Sequence, residues 1–142
     1  MFISSCGDVS EVQKLSPELI AINNVLKNKW QKGYMSEDVD LYMSAYWKDG
    51  YYYVSDMGTP NDKTDDVEFI DIRQERESAI RVFEKYQDIE IELSEPPEVT
   101  FNEDRTKAEV RDHYKLQVFV TSGTSLEGGY TGLYAEGDNV FT

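Results

Sequence analysis

A chain of 142 residues has the length of one domain and can bury roughly two-thirds of the surface its unfolded form exposes, so it needs no disulfide or metal to hold together. Its 28 acids against 14 bases give a net charge of −14, which repels phosphate backbones, and no local run of Lys and Arg offsets that, so nucleic acid is not expected as a partner. No apolar run approaches the length needed to cross a bilayer. The 10 Tyr, 6 Phe and 2 Trp supply large buried areas, and the tyrosine hydroxyls need partners, as they find when they line a hollow.

Residues 1–15 read as a flexible tail around the single cysteine, Cys6. Ile3-Ser4-Ser5-Cys6-Gly7 resembles the lipobox of bacterial lipoproteins, an aliphatic residue and two small ones before a lipidated Cys. Only Met1-Phe2 precede Ile3, too little for an apolar signal segment, so a start inside a longer signal peptide is one reading. A chance cysteine in a frayed terminus is the other, and both stay open. Lipidated, the protein belongs to the bacterial periplasm or outer envelope and meets a membrane only through that anchor; otherwise it is cytoplasmic.

Ser16-Pro17-Glu18 is a helix start, with a hydroxyl cap, proline in the first turn and an acid at the positive end of the dipole. Leu19, Ile22, Leu26 and Trp30 follow at helical spacing, and Gly33 is expected as a left-handed cap. Ser36-Glu37-Asp38 restarts a helix whose apolar face is Val39, Tyr42, Met43 and Tyr46, ending at Asp49-Gly50. Tyr51 to Ser55 is predicted as a strand and Asp56 to Asp66 as a polar loop. A third helix runs from about Ile72 to Tyr86, with Ala79, Ile80, Phe83 and Tyr86 inward.

Ile89, Ile91 and Leu93 then alternate with Glu90 and Glu92, the pattern of a sheet with one wet face. Pro96-Pro97 interrupts that strand, and Val99 and Phe101 extend it. A long strand from Lys107 to Val120 places Ala108, Val110, Asp112, Tyr114, Leu116, Val118 and Val120 on one face. Gly129 to Thr142 begins another strand. An unpaired sheet edge is costly, so one more strand is expected in the native gene.

The residues Ser36-Glu37-Asp38, Asp49-Gly50, Val54-Ser55-Asp56-Met57-Gly58, Ala79 to Phe83 and Lys107-Ala108-Glu109-Val110 occur in an order similar to that of the nuclear transport factor 2-like superfamily. Its members include SnoaL-like and ketosteroid-isomerase-like proteins. The resemblance covers residues 16–142. It implies an α+β fold, a cone in which three N-terminal helices pack on a strongly curved antiparallel sheet, here without the closing strand. It also implies a cavity open at one end and, in many members, a homodimer through the sheet's outer face.

Asp56 falls where ketosteroid isomerases place a general base, and a carboxylate at an apolar cavity mouth can accept a proton from carbon. The ordinary reading, a turn aspartate capping backbone donors before Gly58, is the one we favour. Asp112, with Tyr114, projects inward if its strand is unbroken and outward if a bulge intervenes. Trp30 stands where those isomerases carry a tyrosine donor, and Asp138 or Asn139 near a late-strand acid. Trp30, Tyr46, Tyr52, Phe83, Tyr86 and Tyr114 are the expected pocket lining.

His113, alone of its kind, faces away from the cavity. A Ser-His-Asp triad lacks its motif, zinc lacks ligands, and Asn61, Asp62, Asp65 and Asp66 lack the glycine and glutamate of an EF-hand. No metal or cofactor is expected. The leading expectation is a non-catalytic, envelope-associated SnoaL-like module, dimeric and with a cavity. The alternative is an enzyme performing isomerase-like proton transfer on a small apolar ligand with Asp56 as base.

Overall fold

A computed structural model describes residues 15–142; Cys6 and the tail around it lie outside the described residues. The fold is α+β, with helices and antiparallel sheets. Helix α1 (Pro17–Asn23) is capped by Ser16, whose Oγ accepts the Leu19 N–H, and has proline in its first turn. It runs unbroken into a π-helical stretch (Asn24–Gln31) and then α2 (Lys32–Met35). A short helix α3 (Val39–Met43) follows, capped by Asp38.

Gly33 does not cap the first helix. It is buried inside α2, and a Cβ there would lie 2.4 Å from the Tyr42 backbone nitrogen, so glycine lets α2 and α3 touch backbone to backbone. The left-handed residue is Glu37, at φ 56°. Around it the Asp38 N–H reaches the Gly33 carbonyl at 2.9 Å and the Glu37 N–H the Tyr34 carbonyl at 3.2 Å. That is a Schellman turn closed by a non-glycine residue.

Strand β1 (Tyr53–Ser55) pairs antiparallel with β2 (Val67–Phe69), a hairpin partner not foreseen in the sequence. Asp71 and Gln74 form a reciprocal capping box opening α4 (Ile72–Lys85). The buried residues of α4 are Glu75 and Ala79, whereas Ile80, expected inward, is exposed.

The larger sheet is built on β5 (Ala108–Val120), which alternates buried and exposed residues along its length with Val110, Asp112, Val118 and Val120 inward. One side of β5 pairs with β3 (Tyr86–Leu93) and then β4 (Glu98–Phe101), the other with β6 (Gly132–Phe141). The residues between β3 and β4 form the interruption expected at Pro96-Pro97. β6 pairs without a register shift through Gly137, which faces the Tyr114 ring; a Cβ there would sit 3.3 Å from its Cε1. The core is Ile89, Ile91 and Val118, packed by Trp30, Tyr34, Val82, Phe83, Tyr86, Leu93 and Leu116.

Gly33→Ala is expected to destabilise the fold by about 3 kcal/mol or more, since the methyl group meets backbone that cannot swing aside. A urea midpoint equal to wild type would show that the helices do not touch there.

Candidate functional site

The chemically distinctive place in the molecule is a carboxylate enclosed by tyrosines. Glu75 lies on the inward face of α4, one turn before Ala79, and is only 7% exposed. As a carboxylate it can only accept hydrogen bonds. Tyr42 of α3 donates to its Oε1 at 2.6 Å, and Tyr51, just before β1, donates to Oε2 at 2.5 Å.

The Tyr42 and Tyr46 hydroxyls are 2.7 Å apart, and the Trp30 Nε1–H donates to the Tyr46 oxygen at 3.0 Å. Because Tyr42 gives its proton to Glu75, its oxygen receives that of Tyr46. The protons therefore point one way along Trp30, Tyr46, Tyr42 and Glu75, with Tyr51 closing the far side.

The rings pack as tightly as the hydroxyls bond. Tyr34 stands edge-on to Tyr42 and to Phe83 with centroids 5.1 Å apart, and Tyr46 edge-on to Tyr51 at 5.6 Å. Phe141, at the end of β6, meets Trp30 edge-on at 5.4 Å. Such pairs contribute beyond their buried area. Burial raises the pKa of the Tyr34, Tyr42, Tyr46 and Tyr51 hydroxyls, and the Glu75 charge adds to the shift in each. All four are held protonated, and Tyr42, Tyr46 and Tyr51 serve as O–H donors.

Of the residues singled out in the sequence, Trp30 and Tyr46 belong to this array, and Phe83 packs against it. Tyr86 lies in the neighbouring core, and Tyr114 is half-buried over Gly137. Tyr52 is 61% exposed, and it is Tyr51 that turns in. Two surface grooves open elsewhere, of about 400 Å³ and about 350 Å³, and none of the six expected lining residues borders either.

Asp56 is exposed, and its Oδ1 accepts the Gly58 N–H at 2.9 Å, the turn role favoured above. Asp112 does face inward, 5% exposed, and its Oδ1 accepts both the N–H and the hydroxyl of Ser94 at 2.6 Å. It thereby fixes the chain where β3 breaks off. Asp138 lies on the outer face, 2.8 Å from His113 Nδ1, while Asn139 is the inward residue opposite Asp112.

Glu75, like Tyr42 and Tyr51, lies outside the set expected from the sequence. The signal for Glu75 is its spacing of four and eight residues before Ala79 and Phe83, on the stripe expected inward. Among the described residues, no group of three or more His, Cys, Asp or Glu side chains is placed to hold a metal, and no helix is long and apolar enough to cross a membrane. Set against known proteins, the chain matches no family model, no curated protein and no solved structure.

Glu75→Leu leaves the Tyr42 and Tyr51 hydroxyls without their acceptor and is expected to cost about 3 kcal/mol or more. Glu75→Gln retains one acceptor oxygen and should cost about half as much. Urea denaturation in which the leucine variant equals wild type would show that the array does not hold these segments.

The raised tyrosines carry a second consequence. Stability from a group whose folded pKa is raised is complete below the unfolded value, about 10, and lost as pH rises above it. Tyrosinate absorbance should therefore show these four raised hydroxyls silent until they ionise together with alkaline unfolding. Four independent titrations of a still-folded protein would contradict their burial.

Proposed function

We propose that this chain is a non-catalytic interaction module of nuclear transport factor 2-like architecture, its sheet curving as a cone over α4. It works as a homodimer through the sheet's outer face and is tethered to the bacterial envelope through Cys6. The order of elements supports the architecture: helices, a hairpin, α4, then long antiparallel strands whose last aromatic residue, Phe141, returns to Trp30 on the first helix.

A non-catalytic role follows from how the acids are used. Glu75 is held by tyrosines, Asp112 by Ser94 and Asp56 by its own turn. None is aimed at a groove that would hold a substrate.

The observation that carries the dimer is the charge pattern outside the sheet. Arg111, His113 and Lys115 form a basic column on β5. Glu92 and Glu98 flank it on one side, and Glu136 and Asp138 on the other. A two-fold axis parallel to the strands, between β5 and β6, would set Lys115 over the partner's Glu136 and His113 over the partner's Asp138. Arg111 would lie over the exposed partner's Val140. The same surface is then complementary to itself, as a two-fold interface requires.

His113 gives this face a charge that depends on pH. Its pKa is raised, first by the hydrogen bond to Asp138 and then by the charges of Asp138 and Glu136. Its contribution to folding is complete below the unfolded value of about 6.5 and is lost as pH rises through the raised folded value.

Sedimentation equilibrium should show a dimer that dissociates at least tenfold more readily in Val140→Lys, which sets a second cation against Arg111. A wild-type monomer throughout would overturn the dimer, and an unlipidated Cys6 in the native full-length protein would remove the tether.

A further inference from the structure

The outer face has a second character at the end of the sheet away from the charged rows. There β5 runs out at Val120 and β6 begins at Gly132, while β3 starts with a break in register between Gln87 and Glu90. Asp88, inside that break, has φ 51°. The break opens the groove of about 400 Å³, bordered by Gln87, Asp88, Phe119, Thr121, Ser122 and Thr124 among others. Its polar groups are an amide, one carboxylate and several hydroxyls, with no basic side chain along the lining.

One aromatic side chain, Phe119, borders this hollow, and a second lies beyond it on β6. Phe119 points outward, opposite Gln87 on one side and Gly132 on the other. A Cβ at Gly132 would stand 3.1 Å from Phe119 Cδ1 and 3.2 Å from Cε1. The ring therefore leans across bare backbone, and any side chain at 132 would push it away. Tyr134, the next outward residue on β6, is the diagonal neighbour of Phe119 across the pair. It is 59% exposed, and its hydroxyl is pinned to Glu136 at 2.8 Å.

An exposed ring beside a groove of hydroxyl, amide and carboxylate groups suits a molecule with one apolar face and a rim of hydroxyls. We propose that this end of the sheet binds a neutral polyhydroxylated ligand of the sugar type. Its C–H face lies on Phe119, and its hydroxyls reach Asp88, Gln87 and the threonine and serine hydroxyls of the 121–124 turn.

Charge selects among the alternatives. Asp88 in the lining, Glu90 beyond it on β3 and a net charge of −14 oppose anions. A purely apolar ligand would strand the polar lining without partners. The groove is open and shallow, so affinity is expected to be modest, with Kd on the order of 1 mM for a monosaccharide. The site does not depend on the dimer, since the charged rows lie at the other end of the same strands.

The test is a two-dimensional amide NMR titration of the full chain with glucose, galactose, N-acetylglucosamine and maltose, with glucuronate and benzoate as anionic and apolar comparisons. At least one neutral sugar is expected to give saturable shifts confined to residues 87–88, 119–124 and 131–132. Phe119→Ala should weaken that binding at least tenfold, and Asp88→Asn, which tolerates the same backbone conformation, about tenfold. The proposal is overturned by no saturable shifts at those amides with any neutral sugar, or by glucuronate or benzoate binding there more tightly. It is also overturned by unchanged binding in Phe119→Ala; should that variant fail to fold, unchanged binding in Asp88→Asn decides against it.

Discussion

The carboxylate of Glu75 sits where three separate segments of the chain meet. Tyr42 arrives from α3, Tyr51 from the approach to β1, and Trp30 by way of Tyr46 from the π-helical stretch. Removing a carboxylate from water costs several kcal/mol even after relaxation, so a buried acid persists only where donors converge on it. Here every donor comes from outside α4. The acid therefore constrains how the first helices and the hairpin approach α4, because any other approach would leave a buried charge without partners. Apolar contacts alone, being non-directional, would allow the same rings to slide.

Asp112 applies the same rule over a shorter range. The chain between β3 and β4 cannot continue the ladder, and Ser94 turns both its backbone N–H and its hydroxyl to the Asp112 carboxylate, while its hydroxyl also receives the His113 N–H at 3.0 Å. The strand break is thus closed by one serine and one acid, with the Ser94 N–H also reaching the His113 carbonyl at 2.9 Å. The two interior acids divide the work: Glu75 sets helices and hairpin against each other, and Asp112 keeps two strand segments in line on one side of β5.

The alternation along β5, the cap at Ser16 and the break at Pro96-Pro97 were legible in the sequence because each is a local rule with one outcome. What escaped depended on contacts distant in the chain. Gly33 carries the sign of a helix end, yet its reason is the backbone of Tyr42, which no local pattern reveals. Tyr51 and Tyr52 are equivalent by type, and which one turns inward depends on where a three-residue strand begins. Val67–Phe69 is too short to register as a strand until β1 is there to pair with it. Glu75 stood on the correct helical stripe but was passed over because an acid is ordinarily solvated. The tyrosines that make it tolerable lie 33 and 24 residues away in sequence.

The excess of acid over base gains a structural meaning from the placement of the few bases. On the outer face they are concentrated on β5, the one strand with neighbours on both sides, so that Arg111, His113 and Lys115 each have acids alongside. Bases placed on the edge strands instead would have left like charges facing each other across the pairs, which is destabilising. With bases in the middle, each base has acids alongside, while Glu90 and Glu109 on the same face leave it with more acids than bases. A strongly acidic chain thereby gathers cations on one surface, and the exposed Val140 beside them gives that surface an apolar contact. The end bearing Phe119 and Tyr134 has no such basic column, its outward β5 neighbour being the neutral Gln117, so the two halves of one sheet face present different chemistry along the same strands.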